Sequence, residues 1–419
     1  MSKKKVYASL EIADQEIRLV VLEIFDGRYN VLRTESVECQ GVVKQKIVDE
    51  ANVVTSIRQA VTNAQAALGY RIERVLLAIP SVNVQRNNQK IHVMVDDGTK
   101  SIRLFHIQQG YNKAIQRRVS DDVEFVNANR VLYIVNDEEI RKVPVSKNAE
   151  DFYMDIDLLY ADKETIYSYA RCVEQANLEI LDLCLDSYAI AQQAAVLVQS
   201  YDRLMIQVDL EEEHCTISLF QKGRMMNTIT LETGYMSFIE DLQKEYALSN
   251  AVSYRLLQNV LTSDVEEAKD IIVYIEQKED TRIEITEKQL VQSVLPKMQA
   301  WIDQVNDACD PIVKKAKSRY LLTGKGANIS TFKELEKKFN ADARVYEEMN
   351  MGARSGAYVC CLGMAYAWNE INEIRHSDKI SVNNNELEAS IDTIRAKTKA
   401  NEDGNFTKKL KNVILTERD

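Results

Sequence analysis

The order of elements laid down between residues 6 and 79 begins again at residue 204, and no other feature restricts the fold of this chain as much. Val6 to Ile12 alternates loosely in the manner of a strand, and Ile17 to Phe25 supplies a second. The Asp26-Gly27 turn then leads into a third strand near Tyr29 to Val37. A helix follows over Asp49 to Leu68, with Val53, Ile57, Val61 and Ala64 on one face and Gly69 as its stop. Val75 to Ile79 is a short apolar strand closed by Pro80. In the second half, Leu204 to Leu210 and Cys215 to Phe220 read as strands, Lys222-Gly223 as the turn and Met225 to Leu231 as the third strand. A helix then begins within Ser237 to Tyr246, and Val208-Asp209-Leu210 aligns on Leu10-Glu11-Ile12. Two copies of a β-β-β-α unit predict two related α/β lobes, each an open mixed sheet covered by helices. A ligand would lie between them, at the strand ends. The alternative is two unrelated α/β domains that share a common hairpin pattern.

The rest of the chain sets the expected boundaries. Residues 1–80 open lobe one, and residues 81–161 fit neither copy. That stretch carries a helix near His106 to Arg118 and strand-like runs at Val131 to Val135 and Phe152 to Tyr160, enough for a small inserted α+β subdomain. Residues 162–200 return to lobe one, starting with a helix over Asp162 to Asn177, and residues 201–376 form lobe two. Residues 377–405 have no aromatic side chain and are rich in Asn, Asp, Glu and Lys, the composition of a linker. Residues 406–419 read as an amphipathic helix: Phe406, Leu410, Val413 and Ile414 share one face, flanked by Lys408, Lys409 and Lys411. Such a helix suits the surface of an anionic membrane, and self-association would multiply its weak grip.

A net charge of −11 excludes a general nucleic-acid binder. The longest apolar stretch, Tyr358 to Trp368, is far too short to span a bilayer, and Glu11 interrupts the apolar run after Lys3-Lys4-Lys5, which therefore reads as a strand rather than a signal peptide. The seven cysteines show neither CxxC nor zinc spacing, so they read as small hydrophobes in a reducing compartment, the cytoplasm. His92, His106, His214 and His376 are scattered, no metal site is expected, and neither a P-loop nor a nucleophile elbow is present.

The turns of the two hairpins carry the remaining chemistry. Ser9-Leu10-Glu11-Ile12-Ala13-Asp14 resembles the phosphate-1 turn of the actin, Hsp70 and sugar-kinase superfamily, and Val208-Asp209-Leu210-Glu211-Glu212-Glu213 resembles its phosphate-2 turn. Leu322-Thr323-Gly324-Lys325-Gly326-Ala327 is similar to the adenosine motif, with a helix expected near Thr331 to Phe339. Within that superfamily the chain resembles the bacterial cell-division protein family FtsA. Val75 to Ser81 leads into an insertion where that family carries its extra subdomain, and Glu232 to Leu242 follows its Gly-Gly-x-x-(Ile)-Thr-x-Asp pattern with Gly234 retained. Gly352 to Tyr366 matches its closing helix. The fold implied is a two-lobed, actin-like duplication of the ribonuclease-H type, with an inserted small α+β subdomain in lobe one.

The departures fall where phosphate would bind. Family turns use small residues, so that backbone N–H groups close on the phosphates. Here Glu11 stands for Asp, Ala13 for Gly and Asp14 for a hydroxyl residue; Asp209 is retained, but Glu211, Glu212 and Glu213 replace three glycines. Near the adenosine, Val252 replaces a Glu and Arg255 a Lys. A like-charge pair at about 4 Å costs about 4 kcal/mol at an effective dielectric near 20, so two such pairs would remove micromolar affinity. The sites implied by resemblance are thus degenerate, and no cofactor is expected, although the family implies Mg-ATP. The expectation is a pseudo-ATPase scaffold with no catalytic residues.

What the resemblance implies about function is a peripheral protein on the inner face of the cell membrane at midcell. It would tether filaments of the tubulin-like FtsZ, self-associate and contact other division proteins. FtsZ would dock on the outer subdomain of lobe two, about residues 233–301. Two alternatives stand beside it: a type IV pilus actin-like assembly protein, and an active actin-fold ATPase or kinase with an altered metal cleft.

Overall fold

The computed structural model describes residues 4–117, 119–260, 262–278, 281–383, 386 and 387. Strands Lys5–Ala13, Glu16–Phe25 and Arg28–Glu38 run antiparallel through two tight turns, and Arg74–Ile79 and Glu179–Leu185 add to the other edge in parallel. Lobe two repeats this sheet. Leu204–Leu210, Cys215–Gln221 and Arg224–Leu231 form the antiparallel half, and Ser318–Thr323 and Asp342–Val345 continue it in parallel. The order in each sheet is third, second, first, fourth, fifth strand, so the repeat extends through topology. In both copies the first strand is central and buried along most of its length, with its C-terminal end at the cleft.

Helix Glu50–Leu68 covers lobe one; the Asp49 side chain accepts the Asn52 N–H at its start, and Val53, Ile57, Ala60 and Ala64 bury its apolar face. The closing helix Val359–Arg375, grouped with lobe two by sequence order, packs into the lobe-one core instead, where Trp368 meets Tyr7 edge to face. Its first two turns, Val359 to Ala365, are apolar and buried all round, and they join the lobe-one core.

The insertion builds its own sheet in the order Gln85–Met94, Asp151–Asp162, Val123–Val135, Glu138–Ile140, all antiparallel. Helix Leu104–Ile115 closes a separate core of Ile91, Val93, Ile107, Tyr111, Met154 and Ile156. Lobe two carries outer helices Glu240–Tyr246 and Asn250–Gln258, the hairpin Ile272–Lys278/Thr281–Thr286 and the long helix Glu287–Val313, gathered around buried Trp301. The helix expected near Thr331 to Phe339 is one turn, Phe332–Leu335, followed by a 3-10 turn to Lys338. All seven cysteines are buried and free of disulfides. Among the described residues no helix is long and apolar enough to cross a membrane.

Candidate functional site

The two hairpin turns face each other across the cleft, as the duplication requires, but their acids are neither solvated nor vacant. Arg18, two residues into the second strand of lobe one, is only 2% exposed and lies among them. Its Nη2 donates to Glu211 Oε2 at 2.6 Å, its Nε to Glu16 Oε1 at 2.6 Å, and its Nη1 approaches Glu11 Oε1 at 3.5 Å. Lys325, from the adenosine-like turn, pairs through Nζ with the other oxygen of Glu16, and its backbone N–H donates to Glu211 Oε1 at 3.0 Å. Its ammonium also lies 5.2 Å from the Tyr254 ring. His214 Nδ1 lies 2.5 Å from Asp14 Oδ2, and the Gln45 N–H donates to the other oxygen of Asp14 at 2.8 Å.

The remaining acids are satisfied inside lobe two. Thr323 Oγ1 donates to Asp209 Oδ1 at 2.8 Å, Asn250 Nδ2 to Glu212 Oε1 at 2.9 Å, and the Tyr235 hydroxyl to Glu212 Oε2 at 3.3 Å. Backbone packing fixes this arrangement. A Cβ on Gly234 would stand 2.2 Å from the Glu212 carbonyl oxygen, so only glycine lets that chain pass. Gly324 has φ +85, and a Cβ there would meet the Leu210 carbonyl oxygen at 2.6 Å and a carboxylate oxygen of both Asp209 and Glu211 at 2.9 Å. Gly326 lies against the Leu210 side chain.

Electrostatics divides the acids into two sets. Burial opposes charge on Glu16, yet Arg18 and Lys325 bring it down to about 2. Burial likewise opposes charge on Asp14, but the hydrogen bond and charge of His214 hold it below the ordinary carboxylate range. The same contact keeps His214 above its usual value although burial pulls the other way. Glu11 is pushed up to about 8, by burial first and then by the neighbouring acids Glu211, Asp209 and Asp186 against the pull of Arg18. Burial raises Asp209 to about 7 and Glu212 to about 7, with other carboxylates adding to each shift. The cleft therefore holds Asp14 and Glu16 in their charged forms beside Arg18 and His214, whereas burial pushes Glu11, Asp209 and Glu212 toward their protonated forms.

Of the residues singled out from sequence, Glu11, Ala13, Asp14, Asp209, Glu211, Glu212, Gly234, Gly324 and Gly326 all fall on the two turns or the loops packed against them. Arg255 does not join them. It is exposed on helix Asn250–Gln258, and its neighbour Tyr254 is the residue that reaches the cleft, donating to the Lys325 carbonyl at 3.0 Å. Phe406, Lys408, Lys409, Leu410, Lys411, Val413 and Ile414 lie outside the described residues. Burial of these acids leaves Glu211 and Glu16 paired with Arg18, and Asp14 with His214. Sequence reasoning missed Arg18 and Glu16. The signal was there: one arginine inside the apolar run Ile17 to Leu22 has to be buried with carboxylates.

A triphosphate needs backbone N–H groups and uncommitted cations turned toward it. The Glu211 N–H is bonded to the His214 carbonyl at 3.0 Å, the Lys325 N–H to Glu211, and the Arg18 guanidinium to three carboxylates. The residues present do not fit Mg-ATP in this arrangement. Among the described residues no group of three or more His, Cys, Asp or Glu has the geometry to hold a metal ion.

A duplicated five-stranded lobe, with paired turns at a central cleft, is the actin-like ATPase fold. The PilM–PilN type IV pilus biogenesis complex shares it, at a TM-score of 0.55 and 11% identity, over 87% of this chain and 98% of that one. No family model matches the chain. The eight curated relatives that match are all cell division protein FtsA, at 19–23% identity, and they support a divergent likeness to that family. FtsA of Bacillus subtilis (strain 168) is 23% identical over 272 residues, 64% of this chain and 61% of that protein. FtsA of Staphylococcus epidermidis (strain ATCC 35984) is 19% identical over 387 residues, 91% of this chain and 82% of the relative.

Proposed function

We propose that this chain is a cell-division scaffold that tethers filaments of a tubulin-like FtsZ partner to the cytoplasmic membrane, with ATP binding weakened or lost. The observation that carries the reading is Arg18 seated among the acids of the phosphate-like turns in a chain of FtsA descent. The cleft is occupied by the protein itself, so the work passes to its outer surfaces. Ile271, Ile272 and Ile275 stand exposed at the hairpin of the outer subdomain, an apolar patch where FtsA resemblance would seat the FtsZ tail. Residues 406–419, by their sequence pattern, supply the membrane contact, and the inserted subdomain supplies contacts to further copies and other division proteins. The pilus-assembly reading rests on likeness of fold alone.

Two measurements test the proposal. A fluorescent fusion should form a midcell band that disperses when FtsZ is depleted. Purified full-length protein should pellet with anionic liposomes, whereas the form lacking residues 406–419 should stay in the supernatant. A diffuse fusion in cells with intact rings would sink the division role, and tight Mg-ATP binding by calorimetry would sink the loss of nucleotide.

A further inference from the structure

In a two-lobed fold of this type, a ligand that touches both lobes favours the closed form by its differential affinity for it. This chain contains cross-lobe contacts of the same kind, made by its own side chains. Arg18 and Glu16 of lobe one bond Glu211 and Lys325 of lobe two, and Asp14 bonds His214. At the rim, Gln15 Nε2 donates to Glu213 Oε1 at 3.3 Å, and Lys44 Nζ lies 2.9 Å from Glu232 Oε2. All five originate in residues 14–44 of lobe one and end on the second hairpin, its exit or the adenosine-like turn of lobe two. On the far side of the lobe junction, the inserted subdomain grips the edge strand Arg224–Leu231: Asn129 bonds Met225, and Asp157 faces Arg224 at 3.6 Å.

We propose that Arg18 and the acids around it act as an internal ligand, holding the lobes closed without nucleotide. The inference rests on the reading above only in that the cleft has no nucleotide to bring the lobes together. A guanidinium presents fixed donors in several directions at once, so one side chain can bond carboxylates from both lobes. If the lobes part, Glu211 loses Arg18, Glu16 loses Lys325 and Asp14 loses His214, and buried charges short of a partner resist that state unless water enters. Closure and charge pairing are therefore a single event, and assembly of this chain would not follow nucleotide turnover.

The test measures closure directly. All seven native cysteines are buried, so Gln15→Cys with Glu213→Cys places two reactive thiols at the rim, one on each lobe, for a short bis-maleimide. In nucleotide-free full-length protein the cross-link should go to completion, and Mg-ATP should change its rate by less than about twofold. Adding Arg18→Met and Glu211→Gln together should slow it about tenfold or more, as the open form gains population. A cross-link that needs Mg-ATP, or fails with and without it, would overturn the proposal. So would an unchanged rate in the four-site variant. If that variant does not fold, the nucleotide comparison in the Gln15→Cys, Glu213→Cys protein still decides. Loss of midcell localisation would count against the division role and leave the cross-linking result standing, so the two readings fail separately.

Discussion

Asn129 of the inserted subdomain exchanges two hydrogen bonds with the backbone of Met225 in lobe two, its Nδ2 donating to the carbonyl at 2.9 Å and its Oδ1 accepting the N–H at 2.8 Å. A side-chain amide thus takes the place of a neighbouring strand at the edge of the lobe-two sheet, next to a register shift between Leu219 and Phe220. The insertion is therefore attached to both lobes, although it interrupts only the first.

Asn129→Leu should expose the cost of this attachment. Met225 is 1% exposed, so its N–H and carbonyl would both lose their partner in a dry environment. Each orphaned group costs about 1–3 kcal/mol, and a loss of about 2–4 kcal/mol is expected in urea unfolding followed by circular dichroism. A loss below about 1 kcal/mol would mean that water replaces the amide.

Arg18→Met should be more severe than any surface change. It keeps the bulk of the side chain but leaves Glu11, Glu16 and Glu211 without their shared cation. Removing one partner of a buried ion pair costs about 3–5 kcal/mol. Adding Glu211→Gln should recover part of that loss, and a double-mutant cycle would give the coupling between the two residues.

Stability should fall as the solution is made more alkaline across neutrality. Glu11, raised to about 8, and Asp209 and Glu212, both raised to about 7, keep protons in the folded state that the unfolded chain releases near its ordinary values. Their contribution is fully present below the unfolded values and is lost as pH rises through about 7 to 8. Glu16, lowered to about 2, works in the opposite sense and matters only in acid. The midpoint of thermal unfolding should thus decline between about pH 5.5 and 8.5, and Glu11→Gln should flatten the slope. A midpoint rising over that range would contradict the burial of these carboxyls.

Ile272→Ser combined with Ile275→Ser should leave thermal stability within about 1 kcal/mol, since both side chains are about half exposed. The same change should weaken FtsZ binding in a co-pelleting titration by about tenfold, because burying the exposed half of each side chain is worth about 0.75 kcal/mol, or about 1.5 kcal/mol for the pair. Unchanged pelleting would move the docking site elsewhere.

Much of the architecture could be read in the chain because its signals are local. Asp26-Gly27 and Lys222-Gly223 mark matching hairpins, and the helix before Gly69 shows its buried face at helical spacing. Strand Gln85–Met94 was illegible because Arg86, Asn87, Asn88, Gln89 and Lys90 hide the alternation, which becomes apolar only at Ile91 and Val93. The helix after the adenosine-like turn is shorter than its pattern suggests: Phe332, Leu335 and Phe339 fall at helical spacing, but Glu336 is drawn to Arg344 and the Val345 N–H, and the chain turns there. In the cleft, the positions of the acids could be read and their partners could not. Glu211 finds its cation 193 residues away in sequence, and only the fold supplies that pairing.

The Arg18–Glu211 bridge also constrains how this chain can change through descent. Restoring glycine at Glu211 alone would take from the buried Arg18 its partner across the cleft, and losing Arg18 alone would leave Glu211 without its cation. Each reversal passes through a form less stable than either end. The bridge thus behaves as a ratchet: the two residues can be exchanged together at less cost than one at a time.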